Sequence, residues 1–204
     1  MPPLVTPRSL ALLLALAPAT AALAQASDAT SDATPAEVAA RAAGTWVAPP
    51  ERFAVGEASA TVRRSAVLTP TTESLLVEAF LDEAMTQPLL TYDSGGPMRI
   101  VGPWEPVPGA WAVELVNERS LITAHVEAPE VWAAVGLGAC PLVVGEAVDI
   151  SGCAEGPPFT VVACTDLDLI LLDEDASTLR FGAPGTNRCE ERPTAASDLA
   201  FRRQ

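Results

Sequence analysis

The side chain with the greatest capacity for catalysis is the single histidine of the chain, His125. A Ser-His-Asp or Cys-His hydrolase would need this imidazole as its base. The sequence has no Gly-x-Ser-x-Gly elbow, and we expect all of its cysteines to be oxidised. We therefore interpret His125 as a structural residue or part of a pocket wall, assign no catalytic residue, and predict that the protein is not an enzyme.

An acidic cluster is the second group of side chains with possible chemistry. It comprises Asp166, Asp168, Asp173, Glu174 and Asp175. Clustered carboxylates can bind Ca²⁺, but the EF-hand loop requires a glycine in its turn and a closing glutamate, and both are missing here. A solvated strand face followed by a turn explains the same residues, with the intervening leucines on the other face. We predict no metal site and no cofactor.

Four cysteines lie in the last third of the chain, at Cys140, Cys153, Cys164 and Cys189. In an exported protein an even number predicts two disulfides, and spacing alone cannot decide among the three possible connectivities. A zinc site is the alternative, but the chain has no Cys-x-x-Cys pair and only one histidine. We favour Cys140–Cys153 and Cys164–Cys189, because each bond would close a local hairpin.

Residues 1–24 have the layout of a secretory signal peptide. Arg8 precedes an apolar run from Leu10 to Leu16, and the small residues Ala22-Leu23-Ala24 end the segment. The run is shorter than the roughly 20 residues that span a membrane. We therefore predict cleavage after Ala24, an extracytoplasmic location that is periplasmic or secreted, and no stable membrane anchor.

The rest of the chain is predicted to form one domain with an acidic surface. The formal net charge of −14 repels phosphate backbones, which argues against a nucleic-acid partner. Residues 25–40 contain Ser-Asp-Ala-Thr twice in succession and show no apolar periodicity, so we interpret them as a flexible N-terminal segment. Residues 41–204 are long enough for a single domain with its own core.

Alternation of apolar and polar residues recurs along the chain and predicts eight to ten short strands. The clearest run spans residues 73–83, and others fall at residues 60–68, 98–104, 111–115, 119–124, 158–163, 167–171, 178–182 and 199–203. Turn signals separate them, including those at residues 93–97 and 182–187. One short helix is predicted at residues 129–135. The pattern predicts an all-β domain, either a barrel or a sandwich.

The two ends of the predicted domain favour the barrel. Gly44 and Trp46 form a Gly-x-Trp sequence at its start, and Arg202 and Arg203 lie at its end. This arrangement is similar to that of lipocalin and calycin barrels, in which an arginine near the chain end packs across the tryptophan of the first strand. Such a stacked pair contributes on the order of 1 kcal/mol. We therefore predict a lipocalin-like antiparallel β-barrel with one short helix.

A longer series of scattered residues resembles the adenomatosis polyposis coli down-regulated 1 domain family. The matching positions are Asp82, Pro88, Tyr92, Gly102, residues 107–110 and 121–125, Cys140, Cys153, Cys164, residues 166–169 and 179–182, and Arg192, Pro193 and Thr194. The resemblance implies a lipocalin-like barrel outside the cell, with an apolar cavity suited to lipid or acyl groups.

The predicted function is the binding of a lipid or another apolar small molecule inside the barrel. Large apolar side chains of the middle strands are the candidate ligand contacts: Phe80, Tyr92, Trp104, Trp111, Val113 and Leu115. Because both faces of several strands are apolar, the pattern does not decide which face points inward. The alternative is a filled β domain that serves as an extracytoplasmic interaction module for a protein partner that the sequence does not identify.

Overall fold

An antiparallel β-barrel forms the body of the protein. The computed structural model describes residues 33–55, 58–155 and 164–204. The helices are α1 (Pro35–Ala42) and α2 (Pro129–Ala134), and the strands are β1 (Gly44–Val47), β2 (Glu51–Val55), β3 (Ala58–Leu68), β4 (Thr72–Phe80), β5 (Pro88–Pro103), β6 (Trp111–Val116), β7 (Arg119–Ala124), β8 (Ala147–Asp149), β9 (Thr165–Leu172), β10 (Thr178–Phe181) and β11 (Phe201–Arg203).

Eight of these strands close into a ring. Each pairs with the next in the order β1, β3, β4, β5, β6, β9, β10 and β11, and β11 pairs with β1. Strand β2 continues β1 along β3, and β7 continues β6 along β5, with β8 added beside β7. All pairings are antiparallel, so the ring is an up-and-down barrel. The predicted lipocalin-like β-barrel is confirmed.

The end of the barrel where β1 begins is filled by an apolar core. Paired residues share a face, so the register of Trp46 with Ala66 and of Ala66 with Leu75 fixes the inward side of three neighbouring strands. Trp46 is completely buried among inward side chains from β3, β5, β6, β9, β10 and β11. Helix α1 covers this end through Val38, Ala39 and Ala42, which belong to the same core.

Helix α1 begins at a well-formed N-terminal cap. The Thr34 hydroxyl accepts a hydrogen bond from the backbone N–H of Glu37, whose carboxylate in turn accepts from the backbone N–H of Thr34. Pro35 occupies the first turn, where its missing N–H has no consequence. The prediction of one helix was therefore incomplete, because residues 35–40 of the proposed flexible segment are helical. Residues 25–32 and the proposed signal peptide lie outside the described ranges.

The seam between β1 and β11 is held by the last arginine of the chain. The Arg203 guanidinium lies 4.3 Å from the centre of the Trp46 ring and donates to the carbonyl oxygens of Arg41, Ala43 and Ala176 at 2.5, 2.6 and 2.8 Å. A Cβ atom on Gly44 would approach the Arg203 Nη1 atom to 2.6 Å, so a glycine is needed beside the guanidinium. A terminal arginine thus lies over the tryptophan of the first strand, and it is Arg203; Arg202 is exposed and has no described contact with Trp46.

Strand β5 passes straight through a predicted turn. Residues 93–97 were expected to end a strand because of their two glycines, yet they lie in the middle of β5. At this point the partner of β5 on one edge changes from β7 to β6. A Cβ atom on Gly96 would lie 1.9 Å from the Val116 carbonyl oxygen, so Gly96 permits this close approach and does not mark a turn.

Both favoured disulfides are present. Cys140 bonds to Cys153, which links the segment after α2 to the turn after β8, and Cys164 bonds to Cys189, which links the start of β9 to the loop before β11. Helix α2 lies where it was predicted. The predicted strand at 158–163 falls outside the described residues. Within the described ranges, no helix is long and apolar enough to cross a membrane.

The contact between Arg203 and Trp46 predicts unequal effects for the two terminal arginines. Replacing Arg203→Ala removes a stacked cation and three hydrogen bonds, so the free energy of unfolding should fall by about 1–3 kcal/mol. Arg202 is exposed, and its side chain has no polar partner among the described residues, so Arg202→Ala should change this free energy by less than about 0.5 kcal/mol. Urea denaturation of both variants measures the difference, and equal effects would contradict the proposed role of Arg203.

Candidate functional site

A cavity lies in the half of the barrel opposite the filled core. Its volume is about 190 Å³, and its wall combines strands β2 to β5 with helix α2. The lining residues are Phe53, Ala60, Val62, Arg64, Leu75, Val77, Ala79, Leu89, Leu90, Tyr92, Val131 and Val135. The wall is therefore apolar except for the side chains of Arg64 and Tyr92.

The register of the strands arranges this wall in levels along the barrel. Arg64, Val77 and Tyr92 form one level across β3, β4 and β5. The next level toward α2 is made of Val62, Ala79 and Leu90, and beyond it lie Ala60 and the helix itself. Successive inward residues of a strand are about 6.6 Å apart. The one charged side chain therefore lies toward the barrel centre, and purely apolar levels separate it from α2.

Arg64 forms an ion pair with Glu51. The Arg64 Nη1 atom lies 2.5 Å from Glu51 Oε2, and the two side chains are 24% and 46% exposed. Glu51 is opposite Val62 in the pairing of β2 with β3, so it shares the inward face. Val47 is opposite Ser65 and Glu51 is opposite Val62, so the connection between β1 and β2 has one extra residue relative to β3, and this places Glu51 on the inward face. The cavity wall thus includes a cation whose counterion is partly in solvent.

Of the six predicted ligand contacts, only Tyr92 lines the cavity. Trp111, Val113 and Leu115 face inward but belong to the filled core. Phe80 is opposite Thr61 on the outer face, where the Arg63 guanidinium lies 5.7 Å from its ring centre. Trp104 follows the end of β5, and its indole donates to the Pro193 carbonyl oxygen at 2.8 Å while Arg192 lies over the ring at 5.2 Å.

Most residues of the cavity wall were not predicted from the sequence, because they follow the same alternating pattern as the residues of any half-buried strand. The cavity forms mainly where small side chains, Ala60 and Ala79, meet Val62 and Val77 on neighbouring strands. Nothing in their spacing separates them from a filled core. Arg64 carried the one available signal, since an arginine on the inward side of an alternating strand is unusual.

Three acidic side chains also face the barrel interior. Asp166 is opposite Leu115 and Asp168 is opposite Val113, which places both aspartates on the inward face of β9. Glu73 lies on the inward face of β4, and all three side chains are at most 8% exposed. The predicted solvated face of β9 was therefore wrong. Asp173, Glu174 and Asp175 do lie in an exposed turn, as predicted.

Two arginines from the loop between β10 and β11 explain the burial of Asp168. Its carboxylate accepts from Arg188 Nη1 at 2.6 Å and from the backbone N–H groups of Leu169 and Gly182 at 2.7 and 2.9 Å. Arg192 donates to the backbone carbonyl of Asp168 at 2.8 Å. A buried carboxylate that is paired in this way is tolerated, and the pairing fixes the loop against the barrel wall.

Among the described residues, Glu73 and Asp166 have no such ion-pair or hydrogen-bond partner. Burial raises the pKa of Glu73 to about 7, the charges of Asp166 and Asp168 raise it as well, and Arg119 opposes them. Burial also raises the pKa of Asp166 to about 6, against the effect of Arg188. The Oδ1 atom of Asp166 is buried without a hydrogen-bond partner among the described residues. Both groups therefore change protonation near neutral pH, although neither contributes to the described wall of the cavity.

The remaining reactive groups form no further site in the described part of the chain. His125 shares a hydrogen bond of 2.9 Å with the Thr91 hydroxyl, and its backbone N–H donates to Leu89, so it joins the end of β7 to the start of β5. Across the described ranges, no three His, Cys, Asp or Glu side chains are arranged to hold a metal ion.

The raised pKa values predict that the protein is more stable at mildly acidic pH. Glu73 and Asp166 titrate above their ordinary values of 4.5 and 3.8, so the folded state binds more protons than the unfolded chain between about pH 4 and 7. The free energy of unfolding therefore falls as the pH rises through this window. In the variant Glu73→Gln this side chain stays neutral. Between pH 5 and 8 the variant should lose roughly 2 kcal/mol less free energy of unfolding than the unmodified protein.

Urea denaturation of the Glu73→Gln variant at pH 5 and at pH 8 measures this difference. The matched control is Glu118→Gln, which makes the same change at an exposed position near the end of β6. The control should lose as much stability as the unmodified protein over this range. If Glu73→Gln and Glu118→Gln show the same pH dependence, Glu73 does not hold a proton in the folded barrel.

Comparison with protein-family models and with curated protein sequences finds no match to this chain. The resemblance to the adenomatosis polyposis coli down-regulated 1 domain family therefore stays a prediction from the sequence. A barrel of this kind can serve unrelated functions, so the fold alone does not assign one. The functional conclusion has to come from the cavity and from the residues that line it.

Proposed function

We propose that the protein is an exported carrier or receptor that binds one small apolar molecule, or the apolar end of a lipid, in the cavity of its barrel. The observation that carries this proposal is the partly open apolar cavity of about 190 Å³ beside a core of buried apolar side chains. Concave apolar clefts with a few polar groups are the usual binding sites for small ligands in proteins. Export is supported by the two disulfides, which suit an oxidising compartment.

The size of the cavity limits the ligand. An apolar cavity of about 150 Å³ is sufficient to stay dry and to bind benzene, whereas pockets for drug-sized ligands start near about 300 Å³. A cavity of 190 Å³ therefore suits a single ring or a short chain of about six carbons. A longer lipid would place only its terminal part inside.

The driving force for binding is the removal of apolar surface from water, worth roughly 25 cal/mol per Å² before the entropy lost on association. Leu90, Val77 and Val135 offer branched side chains on three sides of the space. The Tyr92 ring adds a flat apolar surface and is itself only 4% exposed. This wall contains no described nucleophile or acid-base pair, so binding without chemistry is the function it supports best.

A cavity-filling variant tests this proposal. Ala79→Phe places a ring in the space between Val62 and Leu90, so it should abolish the binding of 1-hexanol. We expect the unmodified protein to bind this alcohol with a Kd between about 10 μM and 1 mM, measured by isothermal titration calorimetry.

The control for this experiment is Ala147→Phe, which makes the same substitution at an exposed position of β8. It should leave the affinity for 1-hexanol unchanged. Circular dichroism tests whether each variant is folded. If Ala79→Phe does not fold, Ala79→Leu replaces it as a smaller obstruction of the cavity. Absence of binding to the unmodified protein, or equal binding to the Ala79 and Ala147 variants, would overturn the proposal and favour a filled interaction module.

A further inference from the structure

Arg64 is the one charged side chain among the described residues of the cavity wall, and it makes one end of the cavity polar. We propose, on the basis of the proposed function, that the ligand is a small amphiphilic anion of the short-chain carboxylate class. Its carboxylate binds Arg64 in place of Glu51, and its apolar part points toward helix α2. Glu51 then occupies the anion position when no ligand is bound.

The Arg64 guanidinium is incompletely paired among the described residues. A guanidinium has five N–H donors in a fixed fork, and the Arg64 side chain donates to one acceptor among the described residues, the Glu51 carboxylate. Its side chain is only 24% exposed, so water has limited access to the other donors. A largely buried cation is stabilised by additional acceptors, and a carboxylate can take two parallel hydrogen bonds from it.

Glu51 is placed so that it can move away from Arg64. It lies at the beginning of β2, a short strand that pairs with β3 and has no other partner strand among the described residues. Its side chain is 46% exposed, and a partly exposed ion pair of this kind contributes little to stability. Glu51 can therefore turn into solvent at small cost when a ligand carboxylate takes its place. If both anions stayed, the site would carry a net charge of −1, which is unfavourable.

The cavity continues from Arg64 along an apolar wall. From Arg64, the wall toward α2 consists of Val62, Ala79 and Leu90, followed by Ala60 and Val135. None of these side chains can hydrogen-bond to a polar group. A ligand with one charged end and an otherwise apolar body matches this distribution, whereas a ligand that is polar at both ends does not.

The overall charge of −14 does not oppose this arrangement at close range. Charges farther away than about 8–10 Å are screened by salt at physiological ionic strength. Within the cavity wall the nearest charge is that of Arg64, and its field is strengthened by the surrounding apolar side chains. The acidic surface slows the approach of an anion without preventing its binding.

The test compares two ligands that differ only in the head group, sodium hexanoate and 1-hexanol, by isothermal titration calorimetry at pH 7.5. Arg64→Gln should weaken hexanoate binding at least tenfold and leave 1-hexanol within twofold. Glu51→Gln should strengthen hexanoate binding about tenfold, because it removes the competing carboxylate, again with little effect on 1-hexanol. The matched control, Arg52→Gln, alters a neighbouring exposed arginine that pairs with Glu83 and should affect neither ligand.

The possible results separate the two proposals. If neither ligand binds to the unmodified protein, the proposed function itself fails. If 1-hexanol binds and hexanoate does not, or if hexanoate binds equally well to the Arg64→Gln variant, the cavity is a neutral apolar site and this inference is wrong. An unchanged hexanoate affinity in the Glu51→Gln variant overturns the exchange of carboxylates. Because Glu51→Gln leaves Arg64 in place, it gives a result even if Arg64→Gln does not fold.

Discussion

The closure of the barrel at the seam between β1 and β11 is the constraint on which the rest of the structure depends. Strand β11 has three residues, and it pairs with β1 and β10 through only two register positions each. So short a ladder is a weak join. Arg203 reinforces it by stacking on Trp46 and by bonding to carbonyl groups before β1 and before β10. A closed ring then fixes the inward face of every strand, since all neighbours are locked in register.

Three kinds of interior follow from that closure. At the seam end, Trp46 and Phe201 belong to a filled core under α1. On other strands the interior is acidic: Arg188 neutralises Asp168, and Glu73 is buried without an ion pair among the described residues. At the end near α2, the inward alanines Ala60 and Ala79 contribute little volume, and the barrel contains a cavity. The buried core and the cavity thus occupy different stretches of the same strands, so residues of the cavity wall can change without disturbing the seam.

How much of the structure could be predicted from the sequence depends on how far apart in the chain the interacting residues lie. The Gly-x-Trp start, the terminal arginine and the local disulfides each leave a mark in the sequence, and the structure contains all three. The inward face of β9 could not be predicted from its own residues, because the ion-pair partner of the buried Asp168 is Arg188, which lies twenty residues later in the chain. The turn at residues 93–97 was wrongly predicted for a similar reason. Gly96 is needed for its close approach to Val116, which belongs to a different strand, β6. The cavity depends on the packing of β2 to β5 against α2, which alternation within single strands does not specify.

The central claim is that the barrel holds a small apolar or amphiphilic molecule, and native mass spectrometry tests it most directly. The protein is purified from the cells that produce it and weighed without denaturation, and anything released by solvent extraction is identified. The account predicts one bound molecule per chain. Its apolar part should have about six carbons, or be a longer chain whose terminal part occupies the cavity. Recognition by Arg64 predicts that this molecule carries a carboxylate. A mass equal to that of the bare chain, together with no uptake of short- or long-chain fatty acids or alcohols added afterwards, would contradict the account.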